Sequence, residues 1–163
     1  MGLDMYITAN RFMWTHKPEE SVLAQQIRDI IGIDAPIESV KIKAGYWRKA
    51  NQIHHWFVDN VQAGDDNCAE YAVYVEELEK LQKICSELLD CYELTGTENE
   101  PISKEFSDLC KKNLPPQEGF FFGTYEIDQY YVQDLQETVQ IIDRVKKLAA
   151  DDPGLDFYYQ SSW

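Results

Sequence analysis

The chain has 163 residues, of which 44% are hydrophobic and 13% aromatic, a composition that supports one domain with its own core and argues against disorder. Its formal charge of −14 argues against a general nucleic-acid binder that neutralises phosphates, and against a protein held on an anionic membrane by charge alone. The charge is segregated: residues 64–110 carry 13 acidic side chains and three lysines, whereas residues 41–60 hold Lys41, Lys43, Arg48 and Lys49 against one Asp59.

No apolar run reaches the length of a membrane span, and the start MGLDMYITANRF lacks the basic region and apolar stretch of a signal peptide, so a cytoplasmic protein is expected. Gly2 does not open a myristoylation pattern, because Tyr6 stands where Ser or Thr is wanted. Cys68, Cys85, Cys91 and Cys110 form no CxxC pair; they read as reduced thiols, and neither a metal nor a cofactor is expected.

The predicted elements begin with a strand, since Leu3, Met5 and Ile7 alternate with Asp4, Tyr6 and Thr8. Pro18, Glu19 and Glu20 open a helix whose Val22, Leu23, Ile27, Ile30 and Ile31 recur at helical spacing until Gly32. A second strand places Val40, Ile42 and Ala44 on one face and Lys41 and Lys43 on the other. The next helix is predicted over residues 46–62, closed by Gly64 and the turn formers Asp65, Asp66 and Asn67. Residues 68–74 have β character. Residues 75–92 form an amphipathic helix with Leu78, Leu81, Ile84, Cys85, Leu88, Leu89 and Tyr92 in its apolar stripe. A polar linker at 95–101 leads to a short helix over 103–112, and Pro115 and Pro116 impose an extended break. Residues 120–122, between Gly119 and Gly123, read as a short buried strand or an aromatic plug. A long helix over 125–149 and an alternating aromatic terminus, FYYQSSW, complete the chain, the terminus expected to dock as a strand. The expectation is a single α+β domain over residues 1–163, a small sheet that includes the N- and C-terminal strands packed against four or five helices.

The chemically unusual stretch is YWRKANQIHHWFVDN at 46–60. On a helix of 100° steps, His54 falls inside an apolar arc with Tyr46, Trp47, Ile53 and Phe57, while Arg48, Gln52, His55 and Asp59 form the opposite face beside Lys49 and Trp56. The same exercise on the last helix puts Asp134 and Thr138 inside an apolar arc that also holds Tyr130 and Tyr131. A buried carboxylate needs a partner, because leaving it unpaired costs several kcal/mol, and His54 is the natural candidate. The expectation is a network of His54 and Asp134 with Thr138 or Asn51. That pair suits a general base for a hydrolase, or a structural link that fixes helix register; no GxSxG-type nucleophile accompanies it.

The outward face supports a different chemistry. Arg48, Lys49, Asn51, His55 and Trp56 suit a small anionic ligand, nucleotide-like, with an aromatic ring to stack on a base. The competing explanation is that the cations meet the acidic segment in surface ion pairs. An exposed Trp14 or Trp56 is also expected to serve either a ligand or a dimer interface, and oligomeric state stays open.

Together MGLDMY at 1–6, YWRKAN and IHHWFVDN within 46–60, GFFFG at 119–123, the helix around Asp128, Tyr131, Asp134 and Thr138, and the closing FYYQSSW resemble a family of small proteins of bacterial and bacteriophage genomes. The resemblance spans most of the chain, least at residues 95–112. The family has no established activity, so no catalytic or binding residue carries over. It implies an accessory protein acting on a host or defence component. That context leaves two binding readings, a small-ligand binder and an acidic inhibitor that covers a basic partner surface with residues 64–110.

Overall fold

The structure is a computed structural model that describes residues 2–14, 16–95, 102–120 and 122–163. Four strands, β1 (Asp4–Phe12), β2 (Ser39–Arg48), β3 (Tyr71–Ala72) and β4 (Leu155–Ser162), form one antiparallel sheet in the order β2-β1-β4-β3. Among the described residues the five helices are α1 (Pro18–Ile31), α2 (Asn51–Asn60), α3 (Val75–Thr95), α4 (Lys104–Asn113) and α5 (Gln129–Asp151). This is the α+β domain that the patterning predicts, with the N- and C-terminal strands paired side by side.

The alternation in β1 sends Leu3, Met5, Ile7 and Ala9 to the helical side of the sheet, all fully buried. Trp47 pairs with Met5 across the strands, and Tyr159 pairs with Ile7. Phe57 of α2 stacks on Tyr159 with ring centroids 3.8 Å apart, and so docks α2 on this face. α5 packs on β2, α3 on α5, and α4 on α3. Of the stripe expected on α3, Leu78, Leu81, Cys85 and Leu88 are buried, and Ile84, Leu89 and Tyr92 pack partly buried against the core. Among the described residues no helix is long and apolar enough to cross a membrane.

The main correction lies between residues 40 and 50. The predicted helix over 46–62 is instead the end of β2, a tight turn and the shorter helix α2. A bulge explains the misreading. Gly45 pairs with Ile7 and Lys43 with Thr8, so Ala44 is the extra residue and both Ala44 and Gly45 are buried. The period-2 pattern therefore breaks at Ala44 and resumes as Gly45 and Trp47 inward, Tyr46 and Arg48 outward. Gly45 is also required for space: a Cβ there would lie 2.4 Å from Ile141 Cγ2 of α5.

Three further expectations change. Val22, Leu23, Ile30 and Ile31 of α1 face outward, Val22 59% and Ile30 85% exposed, while Ala24 and Glu20 face inward, Glu20 accepting from the Trp14 amide and pairing with Arg11. The described residues of 119–123 are not in a strand, and only Phe122 of their phenylalanines packs inward. Phe122 is buried, packed edge-on against His54 with ring centroids 5.2 Å apart, whereas Phe120 is exposed; residue 121 lies outside the described residues. Tyr130, placed in the apolar arc of α5, is 70% exposed.

Candidate functional site

β2 hands over to α2 through one residue of unusual backbone. Lys49 has φ 62°, the left-handed region that costs a side-chain-bearing residue about 1–2 kcal/mol. The turn is held in place by two backbone bonds: the Lys49 amide donates to the Leu3 carbonyl, and the Asn51 amide donates to the Lys49 carbonyl, each at 2.8 Å. The lysine stem passes two glycines. A Cβ on Gly2 would lie 2.9 Å from Lys49 Cε, and one on Gly123, itself at φ 89°, would lie 3.3 Å from Lys49 Cβ. Lys49 forms no ion pair among the described residues.

This turn forms one wall of a cleft of about 520 Å³, within the range of small-molecule sites. Arg48, Lys49, Asn51 and Gln52 line that wall; Glu126, Asp128, Tyr130, Asp134 and Glu137 line the other, from α5 and the loop before it. Arg48 pairs with Asp4 at 2.8 Å, and the Tyr46 hydroxyl donates to the same carboxylate. The Tyr46 bond and the nearby guanidinium hold Asp4 below the usual carboxylate range, against a smaller opposing effect of desolvation. Asp128 caps α5 by accepting from the Tyr130 and Tyr131 amides.

Asp134 is the unusual acid of the cleft. Burial pushes its pKa up to about 7; a bond from Gln52 Nε2 to Oδ2, 2.9 Å, pulls it down, and the charges of Glu137 and Asp128 push it further up. Near neutral pH this carboxyl therefore exists in both protonation states. Its helix neighbour Thr138 donates to the Asp134 carbonyl and accepts from the Trp47 indole at 2.9 Å, so the α5 backbone is tied to β2 directly beneath the cleft.

No family model, curated protein or solved structure matches this chain. The site is therefore read from its own geometry.

His54 belongs to a second, closed network. It is fully buried; Nδ1 lies 2.7 Å from the Tyr159 hydroxyl and Nε2 3.0 Å from Asp66 Oδ1. Burial holds its pKa below 6.5, with Asp66 opposing the shift, so at neutral pH the ring is neutral. The consistent arrangement has Tyr159 donating to Nδ1 and the Nε2 proton donated to Asp66. Gln117 extends the network, its side chain donating to Asp66 and its amide to Asn51 Oδ1, while Asn51 Nδ2 donates to the Phe122 and Thr124 carbonyls. The network fastens residues 117–124 onto α2.

The expected His54–Asp134 pair does not form. Gln52 and His54 stand two residues apart on α2, about 200° around the helix, so α5 meets Gln52 while the sheet meets His54. Of the residues expected on the outward face, Arg48, Lys49 and Asn51 line the cleft, Asn51 belonging also to the closed network. His55 and Trp56 do not line it. His55 sits 3.3 Å from the Pro115 carbonyl and 3.4 Å from Asp59, over a separate hollow of about 100 Å³, and Trp56 is only 8% exposed. Sequence reasoning missed Asp66, Gln117 and Tyr159 as partners of His54. Asp66 comes from an aperiodic turn and Gln117 from an aperiodic loop; only Tyr159 carried a signal, the strand alternation that aims it inward.

Proposed function

We propose that the protein binds a small anionic ligand of nucleotide size in the cleft between the Lys49 turn and α5. The observation that carries this reading is the placement of Arg48 and an ion-pair-free Lys49 on the same cleft wall as the first turn of α2. An anionic group there meets two cations and the positive end of a helix dipole. The opposite wall has the reverse character, with Asp134, Glu137 and Glu126 as acceptors for amino or imino protons. The exposed Tyr130 ring at the same wall offers a stacking surface. A molecule with a phosphate at one end and hydrogen-bond donors on an aromatic ring at the other satisfies both walls; a nucleotide has that form.

The test is a calorimetric titration with a panel of nucleoside monophosphates, supported by melting temperatures, since a ligand that binds only the folded state raises stability by mass action. Binding should weaken at least tenfold in Lys49→Ala and in Arg48→Ala, and stay unchanged in His55→Ala. A panel with no binder, or one whose binding ignores Lys49, contradicts the reading.

A further inference from the structure

The cleft does not end at Tyr46. A second hollow of about 320 Å³ adjoins it, and the two share Tyr46 and Glu137. Both lie along the seam between α5 and β2, the edge strand of the sheet. From Tyr130 through Asp134, Glu137 and Gln140 to Arg144, the lining of α5 advances at helical spacing along one face. At 1.5 Å per residue that row is roughly 20 Å long. A ligand the size of one nucleotide in the first hollow would leave the second open.

The second hollow, like the Lys49 wall of the first, is lined by two cations. Lys43 enters it from β2, its Nζ 5.4 Å from the Tyr46 ring centroid and 5.6 Å from that of Tyr6. Arg144 enters from α5, with Nη1 donating to the Ala44 carbonyl at 3.2 Å at the bulge. Neither cation forms an ion pair among the described residues. Glu137 stands at the divide, so the anion positions are two separate places and not one continuous rail.

We infer that Lys43 and Arg144 form a second phosphate position, and that the seam takes a ligand of dinucleotide length with one phosphate near Lys49 and the other beyond Tyr46. This extends the reading of the first cleft and rests on it. The bulge has a role in that arrangement. It exposes the Ala44 carbonyl to Arg144, which holds the guanidinium over the second hollow. The strong net negative charge of the chain fits a short ligand better than a long polyanion, because phosphates outside the groove would meet an acidic surface.

The experiment compares a 5′-phosphorylated dinucleotide with the corresponding mononucleotide, titrated into the wild-type protein and into a Lys43→Gln/Arg144→Gln double variant whose fold is checked by melting temperature. The expected result is that the dinucleotide binds about tenfold or more tightly than the mononucleotide, with a steeper loss of affinity as salt is raised. The double variant should remove both differences while binding the mononucleotide as the wild type does. If the mononucleotide binds, dependent on Lys49, but the dinucleotide gains nothing, the second position is wrong and the first cleft stands. The same conclusion follows if the double variant weakens both ligands equally. If neither ligand binds, both readings fall.

Discussion

Two polar assemblies lie a few residues apart on α2, and they are built on opposite terms. Around His54 both ring nitrogens are bonded, the acid it faces is bonded again by Gln117, and the ring has no exposure. Around Asp134 one oxygen is bonded by Gln52, burial raises the carboxyl into the neutral range, and the residue faces a cleft shared with a lysine in a strained backbone conformation. Satisfied polar groups stabilise a fold; strained or desolvated ones persist where the surroundings hold them for another purpose. The first assembly has the character of structure; the second is the cleft proposed to bind a ligand.

Removing His54 should have the largest effect. His54→Ala leaves a cavity and takes the partner from the buried Tyr159 hydroxyl and the half-buried Asp66, and should cost about 3–4 kcal/mol in denaturant unfolding. A loss below 1 kcal/mol would mean that the network is not structural. Titration gives the same assembly a pH signature. The folded pKa of His54 is depressed, so its contribution is fully present above about pH 6.5 and is lost as pH falls through the folded value. The stability of His54→Gln should lack that step.

Asp134 runs the other way. Its folded pKa is raised, so the folded state is favoured below about pH 4, and that advantage is lost as pH rises to about 7. Asp134→Asn keeps an acceptor for Gln52 and removes the titration. The variant should match the wild type near pH 4 and be more stable at pH 8 by about 2 kcal/mol, less than the full shift implies because the cleft reaches water. Equal stability at pH 8 would show that the carboxyl is not held at a cost. The smallest effect belongs to Lys49→Gly, which relieves the left-handed strain and should raise stability by about 0.5–1 kcal/mol, measured as a shift of the denaturation midpoint.

Much of the fold was legible because its patterns are periodic. The alternation in β1 and β4 and the stripe of α3 each match the buried face in the structure. The boundary at residues 46–50 was not legible, because the bulge at Ala44 disrupts the strand pattern just where Trp47, Ala50 and Ile53 begin to imitate a helical arc. α1 misled in another way: its phase is set by Glu20 bonding to Arg11 and the Trp14 amide, contacts that no hydrophobic pattern encodes. In the site, the inward placement of His54 followed from helical spacing, but Arg48 and Lys49 were expected on a helix face and instead end β2 and form the turn after it. The partner of His54 did not, since Asp66 is brought to it by a turn and a wheel describes one helix at a time. Lys49 gave no sign of its backbone strain.

If the cleft is the proposed binding site, it exchanges stability for binding. A calorimetric titration at pH 8 of the tightest nucleoside monophosphate into wild type, Lys49→Gly and Asp134→Asn tests it directly, with unfolding measured on the same samples. The predicted result is that both variants are at least as stable as the wild type and bind ten or more times more weakly. Variants that are more stable and bind as the wild type does would contradict it.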